Sequence, residues 1–139
     1  MRIMAIDYGD AHTGIAISDP TGFLAGFTTV ITAYRPEAVA EQVAALAREH
    51  GAEELVLGHP INMDSTRGPR AEKAEAMAEL LKEATGLPVV LWDERRTTID
   101  AHQILMTGGK NAKQRKKVVD AVAASLILEG YLTYKKSHL

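Results

Sequence analysis

The sequence predicts an α/β fold in which a five-stranded mixed sheet, its first three strands antiparallel, carries helices on both faces. Two observations predict it. Up to residue 32, short stretches rich in β-branched and apolar residues follow one another with only short loops between them. From residue 36 onward, segments of helical periodicity alternate with short apolar runs, an order that implies parallel strands joined by right-handed crossovers. The chain has 139 residues, so we expect one domain spanning residues 1–139.

The first three strands are predicted to form an antiparallel meander. Residues 2–8 form the first strand and residues 14–19 return as the second strand of a hairpin. Residues 24–32, rich in β-branched and aromatic side chains, form the third strand. Because side chains alternate between the two faces of a strand, Asp7 shares an otherwise apolar face with Ile3. Acids are rarely fully buried unless a group pairs with them, so we expect a partner for Asp7.

The second half is predicted to contain two helices and two buried strands. Gly51 and Gly86 close the two helices, and Pro69 lies near the start of the second. In chain order these elements are a helix, a strand, a helix and a strand, at residues 36–50, 54–58, 69–85 and 88–92.

Two more helices are predicted toward the end of the chain. Residues 97–109 form a short helix that ends at a pair of glycines. A last helix covers about residues 116–131 and is apolar almost all round, which is typical of a buried helix.

Composition excludes several function classes. The chain has no Cys, so it contains no disulfide, thiolate metal site or Cys nucleophile. No apolar run approaches the length of a transmembrane helix, so we expect a soluble, cytoplasmic protein without membrane contact. The net charge of −2 argues against a general binder of polyanions.

The positive charges are nevertheless concentrated in one acid-free segment, residues 101–119. Such a run is either a solvated loop or helix end, or a phosphate-binding patch. We expect it to hold a nucleic-acid backbone through Lys113, Arg115, Lys116 and Lys117.

Three acids lie where a single site could form. Asp7 ends the first strand, Glu94 follows the last strand, and Asp120 lies near the start of the last helix. Active sites of open α/β sheets lie outside the carboxyl ends of the strands. Each acid also has an ordinary alternative: an Asx-turn for Asp7, a surface ion pair for Glu94, and the positive end of a helix for Asp120.

Converging carboxylates would raise one another's pKa, and Mg²⁺ or Mn²⁺ would relieve the conflict because hard cations prefer carboxylate oxygens. Two such ions about 3.5–4 Å apart can clamp the attacking and leaving oxygens of a phosphodiester. We therefore expect one or two ions at Asp7, Glu94 and Asp120, and metal-dependent hydrolysis of phosphodiester bonds. His59 lies near the same edge, where it could touch the substrate, but we interpret it as an ordinary loop histidine.

Four blocks of the chain resemble the YqgF family, also called RuvX. The blocks are IMAIDYGDAHTGIAISD, LVLGHPINMDSTRGPRAE, VVLWDERRTT and RKKVVDAVAASLILEGYL. The resemblance covers nearly the whole chain in order. It implies a ribonuclease H-like fold and a catalytic triad at Asp7, Glu94 and Asp120. It also implies a nuclease that acts on the 5′ end of the precursor of 16S ribosomal RNA.

The resemblance leaves the substrate and the partners open. An older assignment of the family, by similarity to RuvC, implies a Holliday-junction resolvase that acts on branched DNA, which would favour a homodimer over a monomer. A third hypothesis is a non-catalytic RNA-binding factor in ribosome assembly or transcription, and the ribosomal particle itself could be the partner. The first block also resembles the phosphate-binding hairpin of actin and sugar-kinase ATPases, but those proteins need two such lobes.

The chain departs from the family's usual pattern in places. Many relatives have a basic residue in the first loop, where this chain has residues Asp10 to Thr13 and a phosphate-binding cation is missing. His59 replaces the commoner Leu or Phe before the proline, and Arg96 replaces a usual Leu. We expect Arg95 to contact the phosphate or to orient Glu94, and Arg96 to compensate for the missing cation.

Overall fold

The computed structural model describes residues 1–22, 25–62, 64–94 and 112–137, and for residues 25 and 112–120 it describes the backbone alone. Five strands and three helices lie in these ranges. In chain order they are β1 (Ile3–Asp7), β2 (His12–Ser18), β3 (Ala25–Thr32), α1 (Pro36–His50), β4 (Glu54–His59), α2 (Pro69–Thr85), β5 (Val89–Asp93) and α3 (Ala112–Ser137). The short helix predicted over residues 97–109 lies outside the described residues.

The five strands form one mixed sheet in the order β3-β2-β1-β4-β5. The pairs β1–β2 and β2–β3 are antiparallel, whereas β1–β4 and β4–β5 are parallel. The predicted mixed sheet with an antiparallel first half is therefore confirmed. Because β3 runs in the same direction as β1, the strands β1, β3, β4 and β5 all end at one edge, which we call the carboxyl edge.

Helices cover both faces of the sheet, as predicted. The face that carries Met4 and Ile6 packs against α1 and α2, since Leu57 and Val43 belong to the same buried cluster. The opposite face carries Ile3 and Ala5 and packs against α3. Asp7 alternates with these residues and so belongs to the face that α3 covers.

The helices α1 and α2 have the predicted bounds because their ends are encoded locally. A proline occupies the first turn of each helix, where its missing N–H is not needed. Gly51 and Gly86 end the helices, each at a φ of 69° in the left-handed region that favours glycine. No helix within the described ranges is long and apolar enough to cross a membrane.

The prediction that the last helix is buried almost all round holds only in part. The helix is longer than predicted, and over its described side chains only one stripe is fully buried, at Ala124, Ile127, Leu128, Tyr131 and Leu132. The helix lies on a single face of the sheet, so its opposite side meets solvent, as exposed Glu129 shows. Burying Ile127 and Leu128 still stabilises the fold by about 1.5–3 kcal/mol each.

The helix α3 runs antiparallel to β4. Near its end, Lys135 lies 3.3 Å from the carboxylate of Glu54, the first residue of β4. Earlier in the helix, Ile127 packs beside Gly58, near the end of β4. From Lys135 back to Ile127, α3 therefore runs toward the carboxyl edge.

The prediction of a buried strand at residues 88–92 is also wrong in part. β5 is the last strand in the sheet, and only Trp92 is fully buried in it, while Leu91 is 38% exposed. An edge strand has a neighbour on one side alone, which the apolar run PVVLW does not reveal. By contrast, residues 55–58 of β4 are buried, as expected for a strand covered on both faces.

Candidate active site

Two acids predicted from the sequence meet at the carboxyl edge. Asp7 is the last residue of β1, and Glu94 follows the last residue of β5. β4 lies between these two strands, yet the two carboxyl groups form a hydrogen bond with each other. A carboxyl group donates a hydrogen bond only when it is protonated, so the pair can form this bond only while one of the two acids carries a proton. Glu94 is therefore a hydrogen-bond partner of Asp7, and the metal ion expected to pair with Asp7 stays a prediction.

Gly58 provides the space in which the two carboxyl groups meet. It lies in β4, paired with Trp92 of β5, between the strands that carry the acids. A Cβ atom at this position would collide with Oε1 of Glu94 and lie 2.8 Å from Cδ1 of Ile127. The absence of a side chain here therefore lets Glu94 reach across β4.

Burial raises the pKa values of both acids, and repulsion by Asp7 adds to the rise at Glu94. Burial raises the pKa of Glu94 most, and the nearby charge of Asp7 raises it further, to about 7. Burial likewise raises the pKa of Asp7, while the hydrogen bond from Glu94 and the positive charge of Arg70 lower it. Such a pair is poised to exchange its proton for a cation near neutral pH.

Arg70 is a site residue that the sequence reasoning missed. Its positive charge acts on both Asp7 and Glu94, and within the described residues its guanidinium has no ion pair of its own. It lies in the first turn of α2, where the helix dipole disfavours a cation. A cation at this unfavourable helix position is the feature of the sequence that could have identified Arg70 as a functional residue.

His59 belongs to an ordered cluster, which we call the His59 cluster, with Glu75 and Arg67. Nε2 of His59 lies 2.7 Å from Oε2 of Glu75. Arg67 donates through Nε to the same oxygen at 2.7 Å and through Nη2 to the other oxygen. These bonds, above all those from Arg67, lower the pKa of Glu75 to about 2.

The His59 cluster ties α2 to the carboxyl edge. His59 is the last residue of β4, and its side chain is 14% exposed, so the interpretation as a loop histidine is wrong. Glu75 lies on α2 and Arg67 lies in the loop that precedes it. The cluster therefore fixes the start of α2, with Arg70, beside the carboxyl pair.

A cation from α2 lies at the first loop. Nζ of Lys73 is 3.2 Å from Oδ1 of Asp10, and both side chains are well exposed. The sequence predicted that a phosphate-binding cation is missing from this loop. Lys73 brings a positive charge there from a different element of the fold.

Asp120, the third predicted acid, is described by its backbone alone. It lies on α3 four residues before buried Ala124 and so shares a helix stripe with it. Because α3 runs toward the carboxyl edge in this direction, Asp120 lies further toward that edge than Ala124 does. Its membership of the triad stays a prediction.

The predicted basic contacts stay predictions as well. Arg95 and Arg96 lie outside the described residues. The other four basic residues lie on the first turns of α3: Lys113, Arg115, Lys116 and Lys117.

The donor set suits a hard divalent cation. Two carboxyl groups share one space, and their charges conflict unless a proton or a cation lies between them. Among the side chains that the structure describes, no three His, Asp or Glu form a metal-binding group. The oxygen donors of Asp7 and Glu94 are those that Mg²⁺ and Mn²⁺ prefer, and Asp120 is the candidate third ligand.

Comparison with known proteins places this site in a family context. Residues 1–134 match the family model RuvX, described as Holliday junction resolvase. A protein of Halothermothrix orenii is 44% identical over 135 residues, which are 97% of this chain and 96% of that protein. A protein of Listeria monocytogenes serotype 4b is 46% identical over 134 residues, 95% of this chain and 97% of that protein. Both are named "Putative pre-16S rRNA nuclease".

The fold is similar to that of a solved nuclease complex. Thermus thermophilus RuvC in complex with Holliday junction substrate aligns with a TM-score of 0.64 at 14% identity, covering 97% of this chain and 96% of that one. At this identity the likeness concerns the fold alone. It confirms the predicted ribonuclease H-like architecture.

Proposed function

Because this chain belongs to the RuvX family, we propose that it is a metal-dependent nuclease that hydrolyses phosphodiester bonds at the 5′ end of the 16S ribosomal RNA precursor. The observation that carries the proposal is the buried Asp7–Glu94 carboxyl pair at the carboxyl edge. The names of the curated relatives favour ribosomal RNA as the substrate.

In this proposal Asp7, Glu94 and Asp120 would hold one or two Mg²⁺ or Mn²⁺ ions. A divalent ion, when bound, supplies positive charge against the charge that develops on the phosphate and makes the attacking water more acidic. Glu94, with a pKa of about 7, gives up its proton readily at neutral pH, so the pair can present two anionic ligands. Burial beside Gly58 keeps both carboxyl groups oriented.

Arg70 would contact the phosphate that is cleaved. Its charge lies close enough to lower the pKa of both Asp7 and Glu94, and it is exposed to an incoming substrate. A guanidinium group binds phosphate oxygens in a fixed, paired geometry. Removing one such donor slows comparable reactions by about 100-fold or more, so we expect a loss of that size in Arg70→Ala and partial retention in Arg70→Lys.

The test compares two substrates in Mn²⁺: a 5′-extended ribosomal RNA precursor and a four-way DNA junction. Asp7→Asn protein, shown to be folded by circular dichroism, is measured beside the wild type. Asp19→Asn is the matched control, because Asp19 bonds Thr21 beyond the opposite edge of the sheet. We expect cleavage of the RNA that is lost in Asp7→Asn and kept in Asp19→Asn.

Symmetric nicking of the junction would instead favour a resolvase, the activity that the family description and the RuvC-like fold support. A resolvase acting on branched DNA would need a homodimer, which size-exclusion chromatography on the junction complex would detect. Binding of RNA without cleavage in any metal would favour an RNA-binding assembly factor. Cleavage that appears when ribosomal particles are supplied would identify the particle as the partner.

A further inference from the structure

A cavity of about 310 Å³ opens beside the first loop, on the other side of β1 from the carboxyl pair. Its volume is at the lower end of the range for small-molecule sites. The side chains that line it include Tyr8, Asp10, Tyr34, Lys73, Met77 and Leu80.

The cavity lies next to the candidate active site along the chain and in space. Tyr8 directly follows Asp7, and alternation turns the two side chains to opposite faces of the sheet. Tyr34 follows the end of β3, and the N–H of neighbouring Ala33 donates to the carbonyl of Ala11 in the first loop at 3.0 Å. The cavity and the carboxyl pair therefore lie at the same edge, on either side of the end of β1.

The walls of the cavity have the chemistry of a site for a flat ring. Tyr34 is 76% exposed, an unusual position for a large aromatic side chain, whereas Met77 below it is 1% exposed. Aromatic rings at the surface stack on nucleobases of any sequence because every base presents a π-face.

A row of cations joins the cavity to the carboxyl pair. Arg70 and Lys73 are three residues apart on α2, so they are neighbours on the helix surface. Arg70 acts on the carboxyl pair, and Lys73 lines the cavity. The bond from Lys73 to Asp10 joins two exposed side chains, and pairs of this kind are weak, so a phosphate oxygen can replace Asp10.

We propose that this cavity is the subsite for the nucleotide next to the cleaved bond, with its base stacked on Tyr34 and its phosphate bound by Lys73. The inference rests on the proposed function, since the occupant belongs to the nucleic-acid strand that is cut. The bound nucleic-acid strand would then cross the carboxyl edge from the carboxyl pair toward α2.

The test measures binding of a short single-stranded RNA by fluorescence anisotropy in EDTA, where no cleavage occurs. A series of the same RNA carries one abasic nucleotide at successive positions. We expect one position at which loss of the base weakens binding to the wild type, and at which Tyr34→Ala is insensitive to that loss. Tyr34→Ala should raise Kd for the intact RNA by about 5- to 100-fold, the usual effect of removing one stacking ring.

Two pairs of variants separate this role from a structural one. Tyr34→Phe keeps the ring and should bind like the wild type. Lys73→Ala should weaken binding and reduce the slope of log K against log salt by about 0.7. Lys82→Ala, a lysine elsewhere on α2 that bonds Glu79 at 3.2 Å, should change neither.

The subsite and the nuclease can fail separately. If the protein cleaves nothing but its sensitivity to the abasic nucleotide disappears in Tyr34→Ala, the subsite is supported and the proposed function is refuted. A wild type without any such position, or one that does not bind the RNA, overturns the subsite. Equal sensitivity to the abasic nucleotide in the wild type and Tyr34→Ala overturns it as well.

Discussion

Glu94 should lower the stability of the metal-free protein at neutral and alkaline pH, so Glu94→Gln should be more stable than the wild type there. The pKa of Glu94 is raised from 4.5 to about 7 in the folded state. Between these values the folded state binds more protons than the unfolded state. Stability due to this group is therefore fully present below pH 4.5 and falls as the pH rises toward 7.

The size of the effect follows from the pKa. Raising it from 4.5 to about 7 corresponds to about 3 kcal/mol of unfavourable free energy once the carboxylate is ionised. Glu94 is only partly buried, and water screens part of this cost, so we expect about 1–3 kcal/mol. Glutamine has nearly the same shape and can still donate a hydrogen bond to Asp7, but it carries no charge at any pH.

The assay is urea unfolding in EDTA, at pH values below 4.5 and above 7. The wild type and Glu94→Gln should be equally stable at the acid end, and the variant should be the more stable protein at the alkaline end. Glu129→Gln, a change at an exposed position of α3, is the matched control and should follow the wild type. Adding Mn²⁺ should stabilise the wild type more than Glu94→Gln, because the variant lacks one anionic ligand.

Identical pH dependence in the wild type and Glu94→Gln would refute this reasoning, because the carboxyl group would then have an ordinary pKa in the folded state. Lower stability of the variant at alkaline pH would refute it too. In that case the ionised carboxylate of Glu94 would stabilise the folded state rather than destabilise it.

Three further predictions test the surroundings of the site. Gly58→Ala should abolish cleavage and lower the free energy of unfolding by about 1–3 kcal/mol, because the methyl group meets the carboxyl of Glu94; retained nuclease activity would contradict this crowding. Thr13→Val should raise the free energy of unfolding by about 1 kcal/mol in urea melts, since the buried Oγ1 has no hydrogen-bond partner in the described structure; a loss of stability would reveal one. The pKa of Glu75, lowered to about 2 mainly by Arg67, means that its stabilising effect is present above pH 4.5 and is lost as the pH falls. Stability measured by circular dichroism should therefore fall less steeply with decreasing pH in Glu75→Gln than in the wild type.

The sequence predicted the helices and the acids for physical reasons that act locally. The bounds of α1 and α2 follow from a proline at one end and a glycine at the other, which restrict the backbone whatever lies around them. Asp7 was found because it breaks the apolar pattern of its own strand. Glu94 was found because it follows a strand of the parallel half of the sheet.

What the sequence could not predict depends on the order of the strands and on contacts between distant residues. The exposure of β5 follows from its place at the end of the sheet, which no property of PVVLW encodes. Arg70 acts on Asp7 across 63 positions of the chain (70 minus 7), and the His59 cluster that holds α2 in place is equally a product of packing. The cavity beside Tyr34 forms from the first loop, the end of β3 and α2, so no single segment predicts it.

Three residues at the carboxyl edge occupy positions that are each unfavourable on their own, and they compensate for one another only together. An acid on an apolar strand face, a cation in the first turn of a helix and a glycine inside a buried strand all weaken the element that holds them. Gly58 makes room for Glu94, Glu94 contacts Asp7, and Arg70 partly offsets the charge of both acids. The raised pKa values show that this mutual compensation is incomplete. A bound cation would offset the negative charge left over at neutral pH, which is the role that the proposed function gives to a divalent metal ion.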